Sequence, residues 1–156
     1  MTVREVAPDI DRDALLTGAE FADAFRMEVA DPAINARRAA ERMVGRQPRW
    51  ARALLSLRNL LVAPLGLKTS GAGSGTRDMI GMFPVVSETP DRLVAGFNDS
   101  HLDFRLVVDV MPSGAARQVT ATTLVRTHNR LGRLYLATIM PFHRLIVPAM
   151  LRRVAD

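Results

Sequence analysis

The chain has 156 residues, of which 48% are hydrophobic and 24% are charged, and its formal net charge is +5. This composition is typical of one globular domain over residues 1–156, and it excludes the disordered class. There is no cysteine, which excludes disulfides, thiolate zinc sites and cysteine nucleophiles.

The positive charge comes from arginine and lies mainly on two apolar stretches. Only Lys68 among the 21 basic residues is a lysine. Residues 49–77 contain five basic and no acidic residues, and residues 130–156 contain five basic and one acidic residue. One Trp, one Tyr and no evident helix-turn-helix argue against a nucleic-acid partner. The first residues lack the apolar core of a signal peptide, so we expect a cytoplasmic protein.

The first part of the chain predicts one strand flanked by helical segments. Apolar residues alternate along the strand, and Asp23 is the one polar residue on its apolar side. Pro48 suits the first turn of the last helix in this part. The predicted elements are a helical turn at 9–16, a strand at 19–30 and helices at 35–45 and 48–63.

Residues 69–78, TSGAGSGTRD, are rich in glycine and serine. Their glycines lack the GxxxxGK[ST] pattern of a phosphate loop, and Thr76 replaces the third glycine of GxGxxG. We therefore predict a flexible loop, and no cofactor.

The second half of the chain predicts an antiparallel meander followed by a long helix. Connectors of hairpin length separate the strands. Asn129 is a suitable N-cap for the helix, and Pro141 and Pro148 predict kinks within it. The helix is apolar nearly all round and so requires burial. Strands are predicted at 80–87, 92–98, 101–111 and 116–127, and the helix at about 130–154.

This order of elements predicts an α+β fold. A curved antiparallel sheet would wrap around the long C-terminal helix, with two helices between the first strand and the rest of the sheet. An antiparallel sheet with one apolar face needs such a cover, and the last helix is the only element long enough.

Six segments resemble a bacterial family of uncharacterised domains, some of them fused behind NAD-binding epimerase-like domains. The resemblance spans roughly residues 48–150, and the family's expected fold is similar to the START and polyketide-cyclase (SRPBCC) helix-grip superfamily, in which a curved sheet wraps around a long helix. It implies an apolar cavity between sheet and C-terminal helix that holds a lipid, polyketide or other hydrophobic molecule. The segments are 48–50 (PRW), 57–62 (LRNLLV), 66–68 (GLK), 81–85 (GMFPV), 99–105 (DSHLDFR) and 131–147 (LGRLYLATIMPFHRLIV).

Four polar side chains, the polar row, lead into the strand at 101–111: Asp99, His101, Asp103 and Arg105. Residues two apart on a strand share a face. If the row faces the cavity, His101 with Asp103 would form an oriented general base, and Arg105 would hold an anionic or carbonyl group. If the apolar face meets the helix instead, the row forms weak surface ion pairs. A metal would need further ligands, so none is expected.

Two further pairs of residues are candidate ligand contacts. His143, with Tyr135 two turns earlier, would present polar groups at a cavity wall, or His143 is a hydrogen-bonded core residue. Arg58 and Asn59 are open to the same two interpretations, a ligand contact or a structural residue. In the structural one, a buried arginine needs a partner, and the polar row would supply it.

We therefore expect a domain that binds a small hydrophobic or amphipathic molecule between the sheet and the C-terminal helix. One alternative is a cyclase- or isomerase-type enzyme that uses His101, Asp103 and Arg105. Another is a ligand-free interaction module of an oxidoreductase. Arg144 at the centre of the last helix argues against a membrane span, since arginine there costs about 2.5–3.5 kcal/mol. Peripheral membrane contact and a homodimer are compatible with the sequence.

Overall fold

The computed structural model describes residues 2–44, 78–80, 83–98 and 101–155. The helix predicted at 48–63, the loop predicted at 69–78, and Arg58, Asn59 and Asp99 lie outside these ranges. The elements are β1 Arg4–Val6, α1 Arg12–Leu15, β2 Phe21–Val29, α2 Ala36–Val44, β3 Met79–Ile80, β4 Phe83–Glu88, β5 Arg92–Asn98, β6 Leu102–Ser113, β7 Ala116–Thr127 and α3 Arg130–Arg152, followed by a 3₁₀ turn at Arg153–Ala155.

The described strands form one curved antiparallel sheet in the order β1-β2-β7-β6-β5-β4-β3. Strands β4 to β7 are the predicted meander, and β5 and β7 have the predicted bounds. Strand β2 pairs with β7, so the first long strand adds to the edge of the meander that its last strand forms. The strand predicted at 80–87 is divided into β3 and β4, which pair with Ile80 opposite Phe83. The α+β helix-grip fold is thus confirmed.

Side-chain caps hold the starts of two helices, and the one at Asn129 is the predicted cap. The Asn129 side chain accepts a hydrogen bond from the Gly132 amide at 2.9 Å, and that of Asp11 accepts one from the Ala14 amide at 3.2 Å. A Cβ atom on Gly132 would lie 2.1 Å from the carbonyl oxygen of His101. The first turn of α3 therefore approaches the sheet so closely that it requires glycine.

Both long helices pack on one face of the sheet. Helix α2 contacts β5 and β6, whereas α3 contacts β2, β7 and α2. The core side chains of β6 are Leu106, Val108 and Val110. Because side chains alternate along a strand, Asp103, Arg105 and Asp109 lie on the opposite face, away from both helices.

Burial along α3 increases toward its C-terminal end. Val147, Met150 and Leu151 are buried in the core that includes α2. Pro141 and Pro148 both lie inside the helix. The corresponding residues of the N-terminal half are only half-buried: Tyr135, Leu136, Ile139, Met140 and His143.

Candidate functional site

A histidine and an aspartate meet between the sheet and the C-terminal helix. Nε2 of His143, on α3, lies 3.1 and 3.0 Å from the two carboxylate oxygens of Asp23, on β2. Asp23 is only 7% exposed. The strand alternation that places Phe25 and Met27 in the core also points Asp23 at the helix.

The pair orients the imidazole ring. A carboxylate only accepts hydrogen bonds, so Nε2 carries a hydrogen, and whenever the ring is neutral Nδ1 is the acceptor. The ring of Phe21 makes an edge contact with that of His143, with centroids 6.1 Å apart. Thr123 lies opposite Asp23 on β7 and is also buried. Such an oriented Nδ1 can accept a hydrogen bond or a proton from a bound molecule.

An aromatic row crosses the sheet from this pair. In the strand register, Phe97 lies opposite Phe104, Phe104 opposite Val125, and Val125 opposite Phe21. Phe83 extends the row at its far end, where its ring centroid lies 5.2 Å from that of Phe104. The four phenylalanines are half-buried. By contrast, Leu93 and Val108, farther along β5 and β6, are fully buried where α2 packs.

The region between the aromatic row and the half-buried face of α3 is here called the grip cleft. Ile139 and Leu136 precede His143 by four and seven residues, so they lie on the same side of α3. Among the described side chains, the cleft is therefore largely apolar, with the Asp23–His143 pair and Thr123 as polar groups at its β2 end.

The described part of the polar row lies on the face of the sheet that is turned away from both helices, here called the far face. Its side chains contact residues other than the Asp23–His143 pair. Asp103 contacts Nε2 of His128 at 3.0 Å, and Nδ1 of His101 lies 3.0 Å from the side-chain nitrogen of Asn129. In the described chain, Asp103 is therefore paired with His128 rather than with His101. Arg105 donates to the carbonyl oxygens of Phe97 at 3.2 Å and of Phe104 at 2.8 Å.

Arg105 is a partly buried cation with incomplete hydrogen bonding. Its Nε is buried and has no partner within the described chain. Burial lowers the pKa of the Arg105 guanidinium, and the nearby charge of Asp103 opposes that shift. The guanidinium is held by carbonyl groups at the ends of β5 and β6, which ties these strands together.

The remaining candidates are dispersed. Tyr135 is half-buried on α3, two turns before His143. Of the candidate ligand contacts named from the sequence, only His143 belongs to the pair at the cleft. Asp23 was recognised as a polar residue on an apolar strand face, but 120 positions separate it from His143, and no local pattern links them. Within the described ranges no group of three His, Asp or Glu residues could hold a metal ion.

Fold and site together define an α+β helix-grip domain whose sheet and last helix are joined by a buried aspartate–histidine pair. Residues 15–150 match the family model described as "Protein of unknown function (DUF2867)". The chain belongs to this family, which confirms the expected membership of an uncharacterised domain family.

One solved structure is similar to the whole chain. It is the solution NMR structure of a protein from Arthrobacter aurescens, with 13% sequence identity and a TM-score of 0.44. The alignment covers 96% of this chain and 91% of that one. No curated protein matches the sequence.

Proposed function

We propose that this domain binds a small amphipathic molecule in the grip cleft, with its polar end at His143 and its apolar part along the aromatic row. The observation that carries the proposal is the Asp23–His143 pair, an ionisable contact at one end of a largely apolar cleft. Binding sites for small molecules commonly combine apolar walls with a few oriented polar groups.

Energetics support a role for the pair beyond stability. Burying two ionisable groups is expensive, and apolar residues of similar size often stabilise a fold as well or better. The side chains of His143 and Asp23 are 15% and 8% exposed, so both are largely removed from water. A site that uses Nδ1 of His143 accounts for an ionisable pair beside the apolar side chains of the core face.

The dimensions indicate the size of the ligand. Strands β2 and β5 are separated by β7 and β6, so the distance from Phe21, which contacts His143, to Phe97 in the same register spans three strand spacings, or about 14 Å. A molecule that reaches both ends would carry one hydrogen-bonding group and an apolar body of about this length. The resemblance to the START superfamily implies the same class of ligand.

The chain offers a matched pair of variants to test this. His143→Gln keeps an N–H that can donate to Asp23 but removes the Nδ1 acceptor. His128→Gln makes the same change in the His128–Asp103 pair on the far face. With anilinonaphthalene sulfonate as a fluorescent probe, we expect His143→Gln to bind about tenfold more weakly and His128→Gln to bind like the wild type.

Two results would contradict the proposal. One is an equal loss of probe binding in both variants at unchanged melting temperature. The other is wild-type protein that shows no probe binding and no co-purifying small molecule by native mass spectrometry, which would favour the ligand-free interaction module. The enzyme alternative that uses His101, Asp103 and Arg105 stays a prediction, and its test is the catalytic effect of His101→Ala.

A further inference from the structure

The outer face of α3 exposes large apolar side chains to solvent. Leu134, Phe142 and Leu145 are 65%, 42% and 66% exposed. Leu134 and Leu145 are eleven residues apart, which is about three helical turns, so they lie on the same side of the helix. Burial of exposed apolar surface of this kind is favourable, and contiguous patches mark interaction sites.

The same face carries a concentrated positive charge. Arg130, Arg133, Arg144 and Arg152 are exposed, and there is no aspartate or glutamate between residues 130 and 155. None of these four arginines has an ion-pair partner in the part of the chain that is described. Arginine pairs well with phosphate and carboxylate groups because its guanidinium is planar and permanently charged.

We propose that this exposed face of α3 docks on the surface of an anionic lipid bilayer. The three apolar side chains would enter the boundary between headgroups and acyl chains, and the arginines would pair with lipid phosphates and carboxylates. Charge complementarity selects this occupant. In a symmetric dimer through the same face, each copy would meet its own arginines, and like charges would repel.

The contact is with the surface of the bilayer and does not span it. The helix from Arg130 to Ala155 is long and apolar enough to cross a membrane by length and composition. However, its inner face is held by the domain, through the His143–Asp23 pair and through Val147 and Leu151 in the core. Only the outer face is therefore available to lipid.

Vesicle flotation tests this inference. We expect the full chain to float with vesicles of equal parts phosphatidylcholine and phosphatidylserine at low salt. Binding should be lost with vesicles of phosphatidylcholine alone. It should also be lost near 1 M salt, where the Debye length falls to about 3 Å and the attraction between the arginines and the lipid charges is screened. Replacing Arg130 and Arg133 with Gln should weaken binding about fivefold for each arginine.

A second variant tests the apolar part of the surface. The double substitution Leu134→Ser and Leu145→Ser should reduce vesicle binding at least about tenfold. Val86→Ser with Met111→Ser is the matched control, because these residues are 55% and 58% exposed on other elements, and it should bind normally. Three results would overturn the inference. The wild type would fail to bind anionic vesicles, or both double variants would bind them equally well. The third is a concentration-dependent dimer that is lost only in the Leu134→Ser, Leu145→Ser variant.

Discussion

At the scale of single residues, the most informative contact joins Asp23 to His143. It links the first long strand to the last helix, and it is the polar contact at one end of the grip cleft. Its energetic signature follows from burial. Removal of one partner leaves the other largely buried without its hydrogen bond, which costs more than removal of both.

A double-mutant cycle measures this coupling. We expect His143→Ala to lower the free energy of unfolding by about 3 kcal/mol, because it leaves the Asp23 carboxylate without a partner. The double variant Asp23→Ala with His143→Ala should be more stable than the two single losses predict, by about 1–3 kcal/mol. Urea unfolding provides the measurement. Additive losses would mean that the two side chains contribute independently.

At the scale of secondary-structure elements, a surface ion network fastens α2 to the far edge of the sheet. Arg37 donates to both oxygens of Asp78, at 2.5 and 2.7 Å, and to Glu88 on β4 at 2.8 Å. It also contacts Glu41 one turn along α2, at 3.1 Å. The hydrogen bonds from Arg37 lower the pKa of Asp78 below its ordinary value.

The depressed pKa makes this contribution to stability depend on pH. A carboxyl group whose folded pKa is lowered stabilises the fold above its unfolded pKa, about 3.9, and that stability is lost as pH falls through the folded pKa. At pH 6 we therefore expect Arg37→Gln to lower the melting temperature by about 2–4 °C. Near pH 3 the difference in melting temperature between Arg37→Gln and the wild type should decrease.

Circular dichroism melts at the two pH values check this expectation. Arg38→Gln is the control, because Arg38 is the exposed neighbour on the same helix and its replacement should have little effect at either pH. A difference between Arg37→Gln and the wild type that persists unchanged at low pH would show that Asp78 is not the group responsible.

Local patterns predicted the elements better than they predicted the site. The alternation of apolar residues along β2 and the cap at Asn129 are encoded in neighbouring residues, so the sequence predicts both. Strand β1 has only three residues, too few for a periodic signal, and was missed. Nor could the sequence decide which face of β6 meets the helices, because this depends on packing between distant elements.

At the scale of the whole molecule, the sheet separates two environments. Its core face carries the helices, the aromatic row and the Asp23–His143 pair. Its far face carries Asp103, Arg105 and His128. The central claim is that a ligand occupies the first environment and not the second. Methyl groups buried on the two faces report on this separately.

Methyl NMR during titration with anilinonaphthalene sulfonate tests that claim most directly. Ala95, Val125 and Ile139 have methyl groups on the cleft side, whereas Val94 on β5 and Val107 on β6 lie on the far face of the sheet. The account predicts that the first three shift in proportion to occupancy while the last two stay unchanged. Shifts confined to Val94 and Val107, or the same shifts on both faces, would contradict it.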